Sequence, residues 1–191
     1  MADNAAWTLI RAEREALVTD LAGIEDSQWQ RPSLCAGWTV RDVLAHMTST
    51  AAMTPAKFFG TFVASGFQFQ SLSKKGIQSE LGASPAETLA RFRAQVSSTT
   101  SPPGPVDSWI GETLVHGEDI RRPLGITHAY APEAVRRVAD FYQGSNLLIG
   151  AKSRINGVTL RATDADWSHG SGPEVSGPLF SLVMAMTGRK A

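Results

Sequence analysis

Residues 38–47 have the sequence WTVRDVLAHM, and this stretch is the clearest indication in the sequence of a helical fold. Thr39 can accept a hydrogen bond from the backbone N–H of Asp42, and the carboxylate of Asp42 can accept one in return, which is a capping-box-like start of a helix. The apolar residues that follow repeat at helical spacing and form one stripe: Val40, Val43, Leu44 and Met47. We therefore predict an amphipathic helix from Val40 to Val63, kinked at Pro55.

Three further segments predict the other helices of a four-helix core. Residues 5–24 place apolar side chains at helical spacing, with the charged ones largely elsewhere. Ser84 is followed by a proline and, at the third helical position, a glutamate, which is a typical helix start. A fourth helix is expected from Trp109 to Arg122. Residues 65–82 are mixed and rich in Ser and predict a connection.

The C-terminal part of the chain predicts a small α+β segment. A fifth helix is expected from Pro132 to Leu148, and residues 158–163 alternate as a strand does. A short apolar helix is expected over residues 178–187. Two short strands are not stable alone, so we divide the chain into a helical bundle, 1–150, and a C-terminal α+β segment, 151–191, that packs on it. The predicted fold class is mainly α.

Composition narrows the class of protein. The 191 residues carry 18 Lys and Arg against 18 Asp and Glu, and this balance argues against a nucleic-acid binder. No apolar run approaches the roughly 18 residues of a membrane span, and the N-terminal residues lack the pattern of a secretory signal. A single cysteine excludes an internal disulfide framework. We expect a cytoplasmic protein with neither nucleic acid nor a membrane as partner.

Glu112 and His116 are the residues whose spacing first indicates chemistry. Four residues of an α-helix turn through about 400°, so the two side chains point the same way. One helix can thereby supply two ligands to one metal ion, and a histidine of a facing helix can complete the set. Two imidazoles and one carboxylate favour Zn²⁺, with Ni²⁺ or Fe²⁺ as other options. An ordinary surface pair at this spacing is the alternative.

Other polar residues allow both a functional and an ordinary role. Asp119 follows His116 by three residues and can either orient its imidazole from behind or pair with a neighbouring arginine. We expect His128 and His169 to lie outside any site, and Cys35 to be a small buried residue. Four arginines could bind a carboxylate substrate or simply charge the surface: Arg41, Arg121, Arg122 and Arg189.

A group of phenylalanines at the end of the predicted second helix and in the connection after it also has more than one interpretation. Core packing is the ordinary one, and a homodimer face or a substrate pocket are the functional ones. Its members are Phe58, Phe59, Phe62, Phe67 and Phe69.

Three stretches together resemble a known family. The first is residues 35–46, CAGWTVRDVLAH, the second is residues 112–120, ETLVHGEDI, and the third is the tail from Ala162 to Arg189. They are similar to the mycothiol-dependent maleylpyruvate isomerase family, within the DinB-like metal-binding bundles. The resemblance implies a DinB-like four-helix bundle in which His46, Glu112 and His116 bind a divalent metal, generally zinc.

The same resemblance implies a thiol chemistry. Family members use the small thiol mycothiol, and metal coordination would hold it as a thiolate that adds to a small electrophilic substrate, for isomerisation or for S-transfer. An arginine of the C-terminal domain assists the isomerase, and Arg189 is the candidate counterpart in this shorter tail. Two other functions stay open: a non-catalytic metal-binding bundle for stress or sensing, and a metal-dependent hydrolase that activates water.

Overall fold

The computed structural model describes residues 2–147 and 149–190. It divides into two compact units, residues 1–128 and 129–191. No helix in the described part of the chain is long and apolar enough to cross a membrane.

The first unit is built around a four-helix bundle. In chain order it contains α1 (Ala2–Leu21), a short 3-10 helix (Asp26–Gln30), α2 (Val40–Ala51), α3 (Pro55–Ala64), α4 (Phe69–Glu80), α5 (Pro85–Ala94) and α6 (Val106–Leu124). Both α1 and α2 pack against α5 and α6, so these four helices form the bundle. The core between them consists of buried apolar side chains, including Leu17, Leu21, Val43, Leu44, Phe92 and Ile120. The predicted mainly α fold with a four-helix core is confirmed.

The start of α2 has the predicted cap. The Asp42 N–H donates to Thr39 Oγ1 at 3.2 Å, and the Thr39 N–H donates to Asp42 Oδ2 at 2.8 Å. The predicted length is wrong, because α2 ends at Ala51 and a new helix, capped by Thr54, begins at Pro55. Proline has no N–H for the carbonyl of Ala51, so the chain breaks here instead of kinking. The Ser98 hydroxyl donates to that carbonyl at 2.7 Å.

The segment predicted as a connection, residues 65–82, contains a helix instead. Only Leu72 and Ile77 of α4 are buried, and the remaining side chains are mostly polar, so its sequence has a weak helical pattern. α4 packs against α2, where Gly76 lies directly on Ser49. A side chain at Gly76 would collide with the Ser49 hydroxyl, and this close approach explains a glycine inside a helix.

The second unit combines helices with a small sheet. It contains α7 (Pro132–Gly144), α8 (Ala151–Arg154), β1 (Thr159–Ala162), β2 (Ser168–Gly170), β3 (Glu174–Gly177) and α9 (Leu179–Met186). β1 lies in the middle of the sheet, antiparallel to β2 and parallel to β3. α7 packs against α8 and α9, and the Trp167 indole N–H donates to Asp140 Oδ1 on α7 at 2.9 Å.

The observed division of the chain therefore lies before α7. The domain boundary predicted at residue 150 falls inside the second unit, because α7 packs with the C-terminal helices. Leu148, the predicted end of the fifth helix, lies outside the described residues, and α7 ends at Gly144.

Candidate metal centre

Helices α2 and α6 bring three predicted site residues together. His46 lies on α2, one turn before its end, and Glu112 and His116 lie one turn apart on α6. One donor atom from each of the three side chains lies within 4.8 Å of the other two. The two imidazole rings are 5.0 Å apart between centroids and nearly perpendicular, at 81°. The fold thus brings His46 next to Glu112 and His116, which follow it in the sequence by 66 and 70 positions.

Asp119 holds the His116 ring from behind. His116 Nδ1 lies 2.9 Å from Asp119 Oδ2, and Asp119 is fully buried on the same helix. A carboxylate can only accept, so the shared proton belongs to Nδ1 and the lone pair of the neutral ring belongs to Nε2. The two arginines that the sequence offered as alternative partners of Asp119 form ion pairs with other carboxylates. Arg121 lies 2.7 Å from Asp20, and Arg122 lies 2.9 Å from Glu118.

The carboxylate of Glu112 is buried at a high electrostatic cost. Its Oε1 atom has no hydrogen-bond partner, and its Oε2 atom lies 3.5 Å from the Thr113 hydroxyl. Burial raises the pKa of Glu112 above its usual value, and the nearby His116, Arg14 and the hydroxyls of Thr113 and Thr50 oppose that rise. Glu112 Oε1 is thus a buried oxygen that is free to accept a hydrogen bond or to bind a cation.

His46 is held in its neutral form. Burial, helped by the proximity of His116 and partly opposed by Asp119, lowers the pKa of His46 to about 3. At neutral pH this ring therefore carries a free lone pair, which is the form that binds a metal ion.

These residues fit a divalent cation. The donor set contains two imidazoles and one carboxylate, which matches the three protein ligands typical of catalytic zinc sites. The buried Glu112 Oε1 atom has no hydrogen-bond partner among the described residues, and a cation between the three side chains would satisfy it. Asp119 supplies the carboxylate that metal-binding histidines commonly have behind them.

Two residues of the loop before α2 border the same histidines. The Trp38 ring lies 4.9 Å from the His46 ring and 6.3 Å from the His116 ring, between centroids. Cys35 offers its sulfur within 4.8 Å of a donor atom of His116 and of Asp119. Cys35 is half-buried and packs against the core of the bundle, so the expectation of a small buried residue is met in part.

Arg14 is a neighbour of the site that the sequence did not indicate. It lies on α1, is only 3% exposed, and donates to the carbonyl oxygens of Gln95 at 3.3 Å and Ser98 at 3.0 Å. Burial lowers its pKa and the carboxylate of Glu112 raises it. In the sequence Arg14 stands within a run of charged residues, RAERE, that is typical of a solvent-exposed face.

Most of the other candidate residues have contacts within their own unit. The Arg41 guanidinium donates to the carbonyl oxygens of Leu81 and Gly82 at 2.7 and 3.0 Å and so ties α2 to the turn before α5. His128 Nε2 lies 2.8 Å from Glu13 Oε2. Arg189 belongs to the second unit, where its Nη1 lies 3.4 Å from the Thr187 carbonyl oxygen. A catalytic role for Arg189 stays a prediction.

The fold and the site together define a class: a helical bundle in which two facing helices present a His, Glu and His set. The family model for the mycothiol maleylpyruvate isomerase N-terminal domain matches residues 10–121, which is more than half of the chain, so the chain belongs to this family. The crystal structure of the mycothiol-dependent maleylpyruvate isomerase is similar, with a TM-score of 0.68 at 14% identity over 97% of this chain and 89% of that one.

A histidine-to-alanine mutant of that isomerase gives a TM-score of 0.66 with the same identity and coverage. No curated protein matches the chain. At this identity the likeness supports the fold, and the predicted DinB-like bundle with a small C-terminal α+β part is confirmed.

Proposed function

We propose that the chain is a metal-dependent enzyme that activates a small thiol, mycothiol, and uses it on a small electrophilic substrate for isomerisation or S-transfer. The single observation that carries this proposal is the convergence of His46, Glu112 and His116, with one Glu112 oxygen buried and unpartnered. The membership of the family supports the choice of thiol, since the similar isomerase is mycothiol-dependent. Zinc is the proposed metal, because its ligand preferences match this donor set.

The proposed roles of the residues follow from their contacts. His46, Glu112 and His116 would hold the cation, which when bound lowers the pKa of a thiol so that it is a thiolate at neutral pH. Asp119 fixes the His116 ring so that Nε2 faces away from the hydrogen bond at Nδ1. Arg14 stabilises the negative charge of Glu112 inside the protein. The Trp38 ring lies beside the two imidazoles and would form an apolar wall on that side of the site.

Metal analysis of the purified protein tests the ligand set. We expect close to one equivalent of zinc, and we expect His46→Ala to lose it. His169→Ala is the matched control, because His169 lies on β2 in the second unit and should leave the metal content unchanged. A His46→Ala protein that keeps its full metal content would show that the proposed ligands are wrong.

Calorimetry with mycothiol then tests the thiol. The metal-loaded protein should bind mycothiol with measurable heat, the chelator-treated protein should not, and a panel of electrophiles should be consumed only when the thiol is present. Binding of metal without binding or consumption of thiol would indicate the non-catalytic bundle. Ester hydrolysis without thiol would indicate the hydrolase, and either result would refute the proposal. The cytoplasmic location expected from the sequence accords with a reduced small thiol.

A further inference from the structure

Helices α3 and α4 form a hairpin, residues 54–80, that presents large apolar side chains to solvent. α3 has no buried residue at all. Among the described residues of the first unit, the large apolar side chains that are exposed all lie here: Phe59 at 59%, Val63 at 59%, Phe67 at 66% and Phe69 at 49%. The core-packing interpretation of these phenylalanines is therefore wrong for three of them. We name residues 54–80 the aromatic hairpin.

The aromatic hairpin is ordered by its own contacts. The Phe62 ring stacks on Phe58 at 5.5 Å and lies tilted against Phe69 at 4.7 Å, between ring centroids. These aromatic contacts join α3 to α4. The Lys75 ammonium donates to the Ala64 carbonyl oxygen at 2.7 Å and ties α4 to the end of α3. The exposed rings thus stand on a defined surface. An apolar surface of this kind commonly marks an interaction site.

Phe67 gives a second and independent indication of an external contact. It has a φ of 60° and is the one non-glycine residue with a positive φ among those the structure describes. A bulky residue in the left-handed region is strained, and glycine or asparagine would form this turn at lower cost. Phe67 is also the most exposed large apolar residue among those that the structure describes, although its ring lies edge-on to Phe62, 5.6 Å away between centroids. A partner outside the chain would account for a strained and largely exposed phenylalanine at this turn.

The charges of the hairpin favour an anionic partner. Lys57, Lys74 and Lys75 lie in the hairpin and are exposed, and its one acidic residue is the half-buried Glu80 at its end. The whole chain is balanced, with 18 basic and 18 acidic residues, so this positive charge is local. In a symmetric dimer the same patch would meet itself and place lysines near lysines. A second copy is thus disfavoured.

We propose that the aromatic hairpin attaches the protein to an anionic lipid membrane. Phe59, Phe67 and Phe69 would enter the interfacial layer, and the lysines would contact the negatively charged headgroups, which is the pattern of peripheral helices that lie on a membrane. This attachment needs no spanning helix. It revises the expectation that no membrane is a partner, which depended on the absence of a spanning segment, and it is independent of the metal centre.

Vesicle co-sedimentation of the full chain tests this surface. We expect binding to vesicles that contain roughly one-third phosphatidylserine, much weaker binding to phosphatidylcholine alone, and loss of binding as salt is raised. Phe67→Asn removes the ring and keeps a residue that tolerates the left-handed turn. It and the double variant Lys57→Glu/Lys74→Glu should each weaken binding at least about tenfold.

Val175→Ser is the matched control, because Val175 is 46% exposed but lies on β3 in the second unit. It should bind as the unchanged protein does. Circular dichroism and metal content verify that each variant is folded. Absence of vesicle binding, or equal binding to neutral vesicles, would overturn the proposal. So would a lipid-free dimer, seen by ultracentrifugation, that Phe67→Asn dissociates, because a second copy would then cover the hairpin.

Discussion

Glu112→Gln should change the stability of the protein in opposite directions without and with metal. The side chain keeps its shape but loses its charge. In the metal-free protein the buried carboxylate is charged and its Oε1 atom has no partner, which costs at least about 1–3 kcal/mol and more than a neutral amide at the same place. Arg14 loses the attraction of this charge but keeps its acceptors at Gln95 and Ser98, and the new amide N–H groups can donate to the hydroxyl oxygens of Thr113 and Thr50. We therefore expect the metal-free variant to be more stable by about 1–3 kcal/mol at pH 8.

The pH dependence of this difference follows from the direction of the pKa shift. Burial raises the pKa of Glu112 in the folded protein above the ordinary value of 4.5. The folded state then holds the proton more tightly than the unfolded state, so stability falls as pH rises from 4.5 through the folded pKa and stays lower above it. The variant does not titrate at this position. The two proteins should accordingly be closest near pH 4 and differ most at pH 8.

With zinc bound, the unchanged protein should be more stable than the Glu112→Gln variant. Ligand at a thousandfold excess over its dissociation constant stabilises a folded protein by about 4 kcal/mol, and we expect the variant to lose most of this gain. Urea unfolding at pH 5 and pH 8, in EDTA and in zinc, measures all four conditions. A variant that is less stable than the unchanged protein in EDTA at pH 8, or that gains equally from zinc, would refute the reasoning.

Three further substitutions test separate parts of the account. Asp119→Asn should weaken zinc binding about 10- to 100-fold in a chelator competition, because it no longer fixes the His116 ring; unchanged affinity would contradict this role. Thr39→Ala should lower the free energy of unfolding by about 1 kcal/mol through loss of the α2 cap, and no change in urea midpoint would count against it. In a thermal melt, Phe67→Asn should stabilise the protein by up to about 1 kcal/mol, whereas a lower melting temperature would show that the ring supports the fold.

The sequence predicted the bundle and the site where local signals were strong. The cap at Thr39 and Asp42, and the spacing of Glu112 and His116, are short-range patterns that the folded chain keeps. That His46 lies opposite this pair could not be obtained from spacing, because it depends on how α2 packs on α6. The resemblance to the family supplied that step.

The features that the sequence did not predict depend on tertiary packing. α4 lacks a clear apolar stripe and is positioned by the contact of Gly76 with Ser49. Arg14 has the sequence context of a surface residue, yet it is buried where α1 meets the turn after α5. Nothing in a single sequence distinguishes such an arginine from the exposed Arg11 three positions before it.

Anomalous diffraction at the zinc edge from crystals of the zinc-loaded protein tests whether His46, Glu112 and His116 bind the metal ion. We predict one strong peak about 2.0–2.2 Å from His116 Nε2, a ring nitrogen of His46 and an oxygen of Glu112. A strong peak elsewhere, with none between these three side chains, would contradict the proposed metal centre.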